Sequence, residues 1–499
     1  MQSREILGLM DGTLPAATVS PATADRDVAT TASGRLRHLL RSRPAWFWWV
    51  MGAGVAMRAW HFTAPPDDAH AGRQTVSLVF AQSYSHGAAW FAPRGSWFGS
   101  VPKVAVLEFP IYSILTWIVA RASGTGLVVG GRILSLGFGI LSLVVFDRIL
   151  ALRGHPRRNL AVALLALSPA AVFYSHADQP EGLLLLLMLF AAYAMVRSQR
   201  SQWLWTVTAS LALALASVIK PTALFYVLPV LAYLYVRQGP RIKALLIASG
   251  ALLATAAWAA FVASASRAGD PTWYASNYSS AFRFGTLGDR VNPVLYATIA
   301  LYYIGLLMVP AAIGLVVAAA RHRRGDALWW FWAAGGVAAM VVFAPLYWIH
   351  FYYSLPIVPA LCAIAAAAAP SLPLKTSLRT LVTVTGVGTS AAVVAALTIG
   401  APLYYDAGTA AASLVPPGQP VALFGDGPGD QVLFFADRTG ISGGATSNAV
   451  ELNNFSPFVA CNAVLFGSTS PRLPSDWIVV LRDPRYVVAK RTVGPCASP

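Results

Sequence analysis

The sequence predicts a mainly α-helical protein, a polytopic transmembrane helical bundle of about eleven helices followed by a small C-terminal α/β domain. Charged residues make up only 11% of the 499 residues, and hydrophobic residues make up 57%. Soluble domains average roughly 25% charged residues, so most of this chain is suited to lipid rather than water. Apolar segments of near-spanning length recur as far as residue 400, and short β-type runs follow them.

The N-terminal tail, residues 1–44, is rich in Ala, Thr and Arg and has no continuous apolar run. We predict a disordered basic tail on the cytoplasmic side. The first apolar segment begins near Trp46 and is predicted to be a signal-anchor helix rather than a cleaved signal peptide.

The membrane helices are predicted from apolar runs of near-spanning length. They lie at about 45–62, 127–151, 158–176, 181–196, 203–219, 222–236, 243–265, 294–320, 327–347, 353–370 and 378–400. Residues 45–400 therefore form the predicted transmembrane domain.

Basic residues recur in alternate loops, as the positive-inside rule requires if the N-terminus is cytoplasmic. The short loop between the third and fourth helices carries Asp178 and Glu181 instead. The C-terminus is then periplasmic or extracellular. High Ala content and a preference for Arg over Lys indicate a GC-rich bacterial genome, so we predict a multi-pass protein of the bacterial inner (plasma) membrane. The loops assigned to the cytoplasm contain Arg153, Arg157 and Arg158; Arg197 and Arg200; Arg237, Arg241 and Lys243; Arg321, Arg323 and Arg324; and Lys375 and Arg379.

The formal net charge of +16 does not indicate nucleic-acid binding, because the basic residues lie between apolar segments, where orientation signals are expected. Cys362 lies in an apolar stretch and is predicted to be a small core residue. Cys461 and Cys496 both lie in the C-terminal region. They are able to pair if that region faces an oxidising compartment, and the sequence leaves this pairing open.

Two outer loops are long, at about 63–126 and 266–292. Within the first, residues 74–91 and 109–122 are too short to span and are predicted to lie along the membrane interface. After residue 401, β-type runs separated by Gly and Pro predict a periplasmic α/β domain over residues 401–499. These runs are Pro420–Phe424, Ala463–Phe466, Trp477–Leu481 and Tyr486–Ala489.

The strongest polar cluster is the segment 65–74, directly after the first helix. It places Asp67, Asp68, His70 and Arg73 within seven residues. Carboxylates supply a general base, and a guanidinium binds an anion. The alternative interpretation is the solvated start of a polar loop.

Further polar residues fall at the same predicted outer face. The simplest alternative for Arg132 and Lys220 is a cation that snorkels to the interface, and for Tyr352 and Tyr353 an aromatic interface belt. The candidate residues of this group are Lys103, Glu108, Arg132, Asp178, Glu181, Lys220, His350 and Tyr352.

The order of these motifs resembles that of the GT-C glycosyltransferases of the protein O-mannosyltransferase and aminoarabinose-transferase type, and is closest to bacterial members that use polyprenyl-phosphate sugars. The resemblance covers about residues 45–360. The motifs are the acidic pair with Gly-Arg-Gln-Thr, Glu-Phe-Pro-x-Tyr, Gly-Arg-x-Leu-Ser, Leu-Ser-Pro with Tyr-Ser and Pro-Glu, Lys-Pro, and His-x-Tyr-Tyr-x-Leu-Pro.

The resemblance implies an outer active site in which an acidic residue after the first helix is the base. That residue is Asp68 here, with Asp67 as the near alternative. Many relatives carry an acidic residue directly after the His of the His-x-x-Arg-Gln segment, where this chain has Ala71. His70, Glu108 and Tyr352 are further substrate-binding candidates.

The departing phosphate needs cations or hydrogen-bond donors, for which the candidates are Arg73, Lys103, Lys220 and His350. Asp178 and Glu181 are candidates for binding sugar hydroxyls. No cofactor is expected, and a divalent metal at Asp178 and Glu181 is the alternative.

The predicted activity is inverting transfer of a hexosyl or pentosyl group, with mannose or arabinose as plausible sugars, to a glycan, lipid or protein acceptor of the cell envelope. The main alternative is a transporter or flippase of a lipid-linked sugar. That class expects polar residues at mid-membrane and related halves, whereas the polar groups here gather at one face. A non-catalytic scaffold whose C-terminal domain binds a partner is a third interpretation.

Overall fold

The computed structural model describes residues 43–96, 102–199, 202–269, 279–306, 325–368, 376–398, 402–425, 429–442, 461–467 and 473–492, with a few single residues between them. Most of the predicted N-terminal tail, residues 1–42, lies outside this set, as does Cys496.

Helices dominate the described residues. In chain order they are α1 Ala45–Arg58, α2 Ala71–Ser85, α3 Ile111–Ser123, α4 Leu127–Leu152, α5 Arg158–Leu167, α6 Pro169–Tyr174, α7 Glu181–Ser198, α8 Trp203–Ile219, α9 Ala223–Gln238, α10 Arg241–Gly269, α11 Ser280–Phe284, α12 Leu287–Val291, α13 Pro293–Leu306, α14 Ala327–Val342, α15 Ala344–Ile349, α16 Val358–Ala368, α17 Thr376–Thr398, α18 Leu403–Leu414 and α19 Gly429–Ala436, with a 3₁₀ helix at Phe351–Ile357.

Within the described residues the predicted apolar segments coincide with these helices, and proline interrupts several of them. Most of residues 307–320, the second half of the predicted segment 294–320, lies outside the described residues. Between α5 and α6 the Ser168 hydroxyl accepts a hydrogen bond from the N–H of Ala171, and Pro169 occupies the first helical position. Pro356 lies inside the 3₁₀ helix that precedes α16. Proline has no N–H to donate, so each break falls where an uninterrupted helix would lose a hydrogen bond.

Five helical segments are long and apolar enough to cross a membrane, which supports a multi-pass membrane protein. Shorter apolar helices such as α8 and α14 accompany them, and the count of about eleven spans stays a prediction. The five segments are Leu127–Leu152, Glu181–Ser198, Arg241–Ala265, Phe351–Ala368 and Gly386–Leu414.

The two ends of α4 lie about a bilayer apart. Arg132 and Arg153 are separated by 21 residues, which at 1.5 Å per residue is about 32 Å, close to the thickness of the hydrocarbon core. At the Arg153 end, the guanidinium pairs with Asp326 at 2.6 Å. Nearby, Arg158 pairs with Asp147. The Arg132 end carries the polar groups described in the next subsection.

The helices of the bundle differ in how much of their surface packs against protein. α7 is buried by α4, α8 and α9, with Met188, Leu189 and Met195 fully inaccessible. α10 instead exposes Leu252 and Leu253, as expected for a helix at the lipid boundary.

The strands are few and short. They are β1 Arg94–Gly95, β2 Lys103–Val104, β3 Val421–Phe424, β4 Gly440–Ser442, β5 Asn462–Phe466, β6 Trp477–Arg482 and β7 Tyr486–Arg491. β1 and β2 form a small antiparallel pair within the first outer loop.

The C-terminal strands β3 to β7 form one sheet in the order β4-β3-β5-β7-β6, which confirms the predicted small C-terminal sheet. β3 pairs in parallel with β4 and β5, and β7 is antiparallel to β5 and β6. β3 and β5 are buried throughout, which explains their unbroken apolar runs. β4 was missed because its Gly-Ile-Ser sequence carries no strand pattern.

Helices α18 and α19 cover one face of this sheet, where Leu423, Val464 and Leu433 share a buried core. Within the same region, Cys461 takes part in a disulfide. Cys362 is a free, buried thiol, as predicted.

The C-terminal region packs directly on the first outer loop. Leu78 and Val79 of α2 contact Phe434 of α19. A backbone hydrogen bond ties the same parts together, from Gly440 N to Ser96 O at 2.9 Å. Another runs from Ala69 N to Leu397 O at 2.9 Å, so the segment that carries Asp67 and Asp68 is held by the C-terminal end of α17.

Truncating the core of this sheet should destabilise the C-terminal region. Leu433 is fully buried between α19 and the sheet, so Leu433→Ala should cost about 2–5 kcal/mol. Ile478→Ala provides the control, because Ile478 is 49% exposed on the edge strand β6. Thermal unfolding of the purified variants measures both, and equal melting temperatures would contradict the assigned core.

Candidate active site

The centre of the polar cluster is a buried ion pair between Arg132 and Asp178. Both side chains are inaccessible to solvent, and Arg132 Nε lies 3.4 Å from Asp178 Oδ2. Gly131 makes the approach possible, since a β-carbon there would lie 2.3 Å from Asp178 Oδ1. The snorkelling alternative for Arg132 is therefore wrong, because its guanidinium points into protein and donates to the carbonyl of His61.

Gln74 connects this pair to Asp68. Its amide nitrogen donates to Asp68 Oδ1, and its amide oxygen accepts from the backbone N–H of Asp178 at 2.9 Å. On the other side of the Asp68 carboxylate, Oδ2 lies 4.0 Å from Nε2 of His176. A single amide thus fixes Asp68 relative to the loop that carries Asp178.

Burial makes both carboxyl groups weaker acids than usual, because it disfavours their charged forms. It raises the pKa of Asp68 to about 7, although Arg132 and Gln74 act in the opposite direction. It also raises the pKa of Asp178, with Arg132 opposing the rise and the nearby Asp68 adding to it. A group with a pKa near the working pH is best placed both to accept and to release a proton.

Asp67 has a different environment from Asp68, because it faces the C-terminal region. A β-carbon at Gly400 would lie 1.6 Å from the Asp67 carbonyl oxygen, so only glycine fits there. Burial and the carboxylate of Asp406 raise the pKa of Asp67 to about 6, while the backbone N–H of Tyr405 lowers it.

Beside the acidic centre lie two further ion pairs. Arg73 pairs with Glu108 and also donates to Ser77. The Lys220 ammonium pairs with Glu181, and both side chains are at most 7% exposed. The snorkelling alternative for Lys220 is therefore also wrong.

Aromatic rings complete the environment of Lys220. Its Nζ lies 4.1 Å from the ring centroid of Tyr352 and 4.4 Å from that of Tyr353. Tyr352 is only 4% exposed, so it does not belong to an interface belt. These rings stabilise the ammonium through cation–π attraction.

Two histidines join the same group from distant parts of the chain. The His70 ring packs 4.3 Å from Phe351, 5.1 Å from Tyr352 and 6.1 Å from His350, measured between centroids. His70 caps α2 in the left-handed region, with a φ of 58°.

The two imidazoles are neutral at physiological pH. Burial, opposed by Glu181, lowers the pKa of His70 to about 4. Burial and the nearby His70, Lys220 and Arg73 lower the pKa of His350 to about 3. Each ring therefore offers a neutral N–H donor and a nitrogen acceptor.

The structure brings most of the sequence-predicted residues into this one cluster, in which Glu181 interacts electrostatically with both His70 and Arg73. Lys103 lies instead on the exposed strand β2, and Asp67 faces the C-terminal region. The residues brought together are Asp68, His70, Arg73, Glu108, Asp178, Glu181, Lys220, His350 and Tyr352.

Sequence reasoning did not select Gln74 or His176 as site residues, and it named Arg132 as a candidate without giving it a role. Gln74 belongs to the motif Gly-Arg-Gln-Thr and Arg132 to the motif Gly-Arg-x-Leu-Ser. Their position in these motifs was the sequence feature that could have identified them as site residues. His176 had no comparable signal, since its closeness to Asp68 depends on tertiary packing.

The carboxylates suggested for a divalent metal are already paired with cations. Asp178 contacts Arg132 and Glu181 contacts Lys220. Within the described ranges, no three His, Cys, Asp or Glu side chains come together in a way that could hold a metal ion. The expectation that no cofactor is needed stays a prediction.

Comparison with known proteins identifies the fold. No protein-family model matches the sequence, and no curated protein matches it. Among solved structures, ArnT from Cupriavidus metallidurans bound to undecaprenyl phosphate is similar, with a TM-score of 0.59 and 16% identity over 94% of this chain and 100% of ArnT. The oligosaccharyltransferase AglB from Archaeoglobus fulgidus, in complex with an inhibitory peptide and a dolichol-phosphate, has a TM-score of 0.51 and 12% identity over 85% of this chain and 69% of AglB.

ArnT and AglB both belong to the GT-C superfamily of glycosyltransferases. The similarity extends over nearly the whole chain and therefore confirms the GT-C fold that the order of the motifs predicted.

Breaking one buried ion pair should destabilise the bundle. Glu181→Gln leaves the Lys220 ammonium buried without its counter-charge, so we expect a loss of about 3–5 kcal/mol. Adding Lys220→Met to the same variant should recover much of that loss, because no unpaired charge then remains. Thermal unfolding in detergent measures both, and equal melting temperatures for single and double variants would contradict the pairing.

Proposed function

We propose that this chain, a membrane protein with the GT-C fold, is an inverting glycosyltransferase. It moves a sugar from a polyprenyl-phosphate donor to an acceptor hydroxyl on the periplasmic side of the bacterial inner membrane. The observation that carries the proposal is a buried carboxylate, Asp68, with a pKa near neutrality beside a cluster of cations and neutral imidazoles. The lipid phosphates bound to ArnT and AglB support this choice of donor.

Asp68 is the general base of the proposed reaction. Its carboxylate accepts the proton of the acceptor hydroxyl as the hydroxyl oxygen attacks the anomeric carbon. Gln74 holds the carboxylate in place, and Arg132 favours its ionised form. Asp67 is less suited to this role, because its carboxylate lies near Tyr405 and Asp406 of the C-terminal region.

The leaving group is the lipid phosphate. As the new bond forms, the bond between the anomeric carbon and the phosphate oxygen breaks, and its electron pair stays on the phosphate. Because attack and departure occur on opposite sides of the carbon, the configuration inverts. The Lys220 ammonium has three N–H donors and uses one of them for Glu181, so the others are available to the phosphate.

Arg73 and His350 support the same phosphate. Arg73 is a permanent cation whose pair with Glu108 is partly exposed, at 12% and 17% for the two side chains. His350 contributes a neutral N–H rather than a charge, because its pKa is lowered. Asp178 and Glu181 keep the cations in place when no phosphate is bound.

The orientation in the membrane follows the distribution of charge. Arg153 and Arg158 lie at the end of α4 opposite the site and belong to the loops assigned to the cytoplasm. The site then faces the periplasm, as does the C-terminal sheet that packs on the first outer loop.

Replacing the base should abolish transfer without unfolding the protein. We expect Asp68→Asn to lower kcat by at least about 100-fold, since general-base catalysis contributes about 10²–10⁴-fold. Asp67→Asn should retain most activity. The assay uses purified protein in nanodiscs, an undecaprenyl-phosphate sugar, and the envelope glycans of a strain that lacks the gene. Full transfer by both variants would contradict the assignment of either aspartate as the general base. Lipid translocation without a glycosylated product would favour a flippase.

The pH profile should shift in opposite directions in two variants. Wild-type kcat/KM should fall as pH drops below about 7, because Asp68 becomes protonated. Gln74→Leu removes a hydrogen bond that lowers the Asp68 pKa, so its acid limb should move to higher pH. Asp67→Asn removes a neighbouring negative charge, so its acid limb should move to lower pH. Shifts in the same direction would contradict Asp68 as the titrating group.

A further inference from the structure

A cavity lies between α2 and the C-terminal region, away from the acidic centre. Its volume is about 530 Å³, within the range of about 300–1,000 Å³ typical of ligand pockets. We call it the α2 cleft. Its lining includes Gln82, His86, Arg94, Ser96, Asp437 and Arg438.

The polar groups of the α2 cleft are organised around Asp437. Its Oδ1 accepts a hydrogen bond from Gln82 Nε2 at 2.9 Å and lies 3.8 Å from Nε2 of His86. The side chains of His86 and Asp437 are 62% and 58% exposed, so a ligand can reach them. Ser96 also lines the cleft, and its hydroxyl oxygen is buried and has no hydrogen-bond partner among the described residues.

Asp437 occupies a strained backbone position, with a φ of 49° in the left-handed region. Arg438 fixes this turn, because its guanidinium donates to the carbonyls of Ala412 and Val415 in and after α18 and to those of Ala436 and Asp437. The carboxylate is thus presented towards the cleft by a rigid turn, as is common at functional sites.

The chemistry of the lining favours a neutral, hydroxyl-rich ligand. An amide, a carboxylate, an imidazole and a hydroxyl accept and donate hydrogen bonds to sugar hydroxyls. The lining carries one anionic side chain, Asp437, and two cationic ones, Arg94 and Arg438. The terminal nitrogens of Arg438 already donate to backbone carbonyls, so Asp437 and Arg94 offset each other and the lining selects no charged ligand. Val79, Pro102 and Pro417 add an apolar surface, against which the carbon-bearing face of a sugar ring can pack.

Helix α2 sets the distance between the cleft and the proposed base. Gln74, which binds Asp68, and Gln82, which binds Asp437, lie eight residues apart on α2. At 1.5 Å per residue they are separated by about 12 Å along the helix axis. A ligand that reaches both places must extend beyond a single sugar ring.

We propose that the α2 cleft binds the saccharide part of the acceptor, at sugars remote from the hydroxyl that is modified. The acceptor is then an oligosaccharide or polysaccharide, free or carried on a lipid. This inference rests on the proposed function and narrows its acceptor class. Gln82 and Asp437 are specificity residues in it and take no part in bond making.

Direct binding provides the first test. Full-length Asp68→Asn protein in nanodiscs is incubated with the envelope glycans of a strain that lacks the gene, and retained glycans are identified by mass spectrometry. We expect retention of chains longer than one sugar, and a loss of at least about tenfold on adding Gln82→Ala and Asp437→Asn. Asn also tolerates the left-handed backbone at position 437. Asp483→Asn, an exposed carboxylate elsewhere in the same region, is the control.

Equal retention by the cleft variants, or no retention by the parent protein, would overturn the proposal. Retention of anionic phospholipid in place of glycan would overturn it as well, by assigning the cleft to a headgroup. Retention of peptide alone would have the same consequence.

Kinetics separate this inference from the proposed function. In the otherwise wild-type protein, Gln82→Ala should raise the apparent KM for the glycan acceptor about tenfold while kcat and the KM for the lipid donor stay constant. If the Gln82→Ala variant transfers sugar with an unchanged KM for the acceptor, the proposal that the α2 cleft binds the acceptor is refuted and the proposed function is not. Glycan retention without any transfer by the wild-type protein would refute the proposed function and leave the binding site standing.

Discussion

The buried pair of Arg132 and Asp178 is the interaction on which the site depends. Two charges removed from water are stable only if they remain together, because an isolated charge in a low-dielectric environment costs several kcal/mol. The pair therefore fixes the start of α4 against the loop before α7. Gln74 donates to Asp68 and accepts from the same loop, so the position of the proposed base follows from this ion pair.

A second constraint comes from the C-terminal region. The segment around Asp67 is bounded by Gly400, where no side chain fits, and Gln431 donates to the carbonyl of Pro66 at 3.4 Å. The segment that carries the proposed base is thus fixed by contacts with α4 and the loop before α7 and by chain beyond residue 397. The C-terminal region therefore has a direct role in shaping the site.

The helices could be predicted from the sequence because the length of an apolar run and the position of a proline are local properties. The strands β3, β5, β6 and β7 could be predicted for the same reason, since each is a short run of β-forming residues.

The site was only partly predictable. Motif order indicated that Asp68, Lys220 and His350 share one face, but the burial of Arg132 and Tyr352 depends on which helices surround them. Lys103 looked equivalent to Lys220 in sequence, yet only Lys220 lies between a carboxylate and two aromatic rings.

The electrostatics of the cluster suit a reaction that moves charge without creating it. Each permanent cation faces a carboxylate, and the imidazoles are neutral, so the resting site is close to balanced. In the proposed reaction a proton reaches Asp68 as negative charge accumulates on the departing phosphate. Preorganised cations stabilise that charge more effectively than water does, because they need no reorientation at the moment of transfer. The packing of the surrounding helices offsets the free energy needed to bury these paired charges. The cations are therefore already in place to stabilise the negative charge of the departing phosphate.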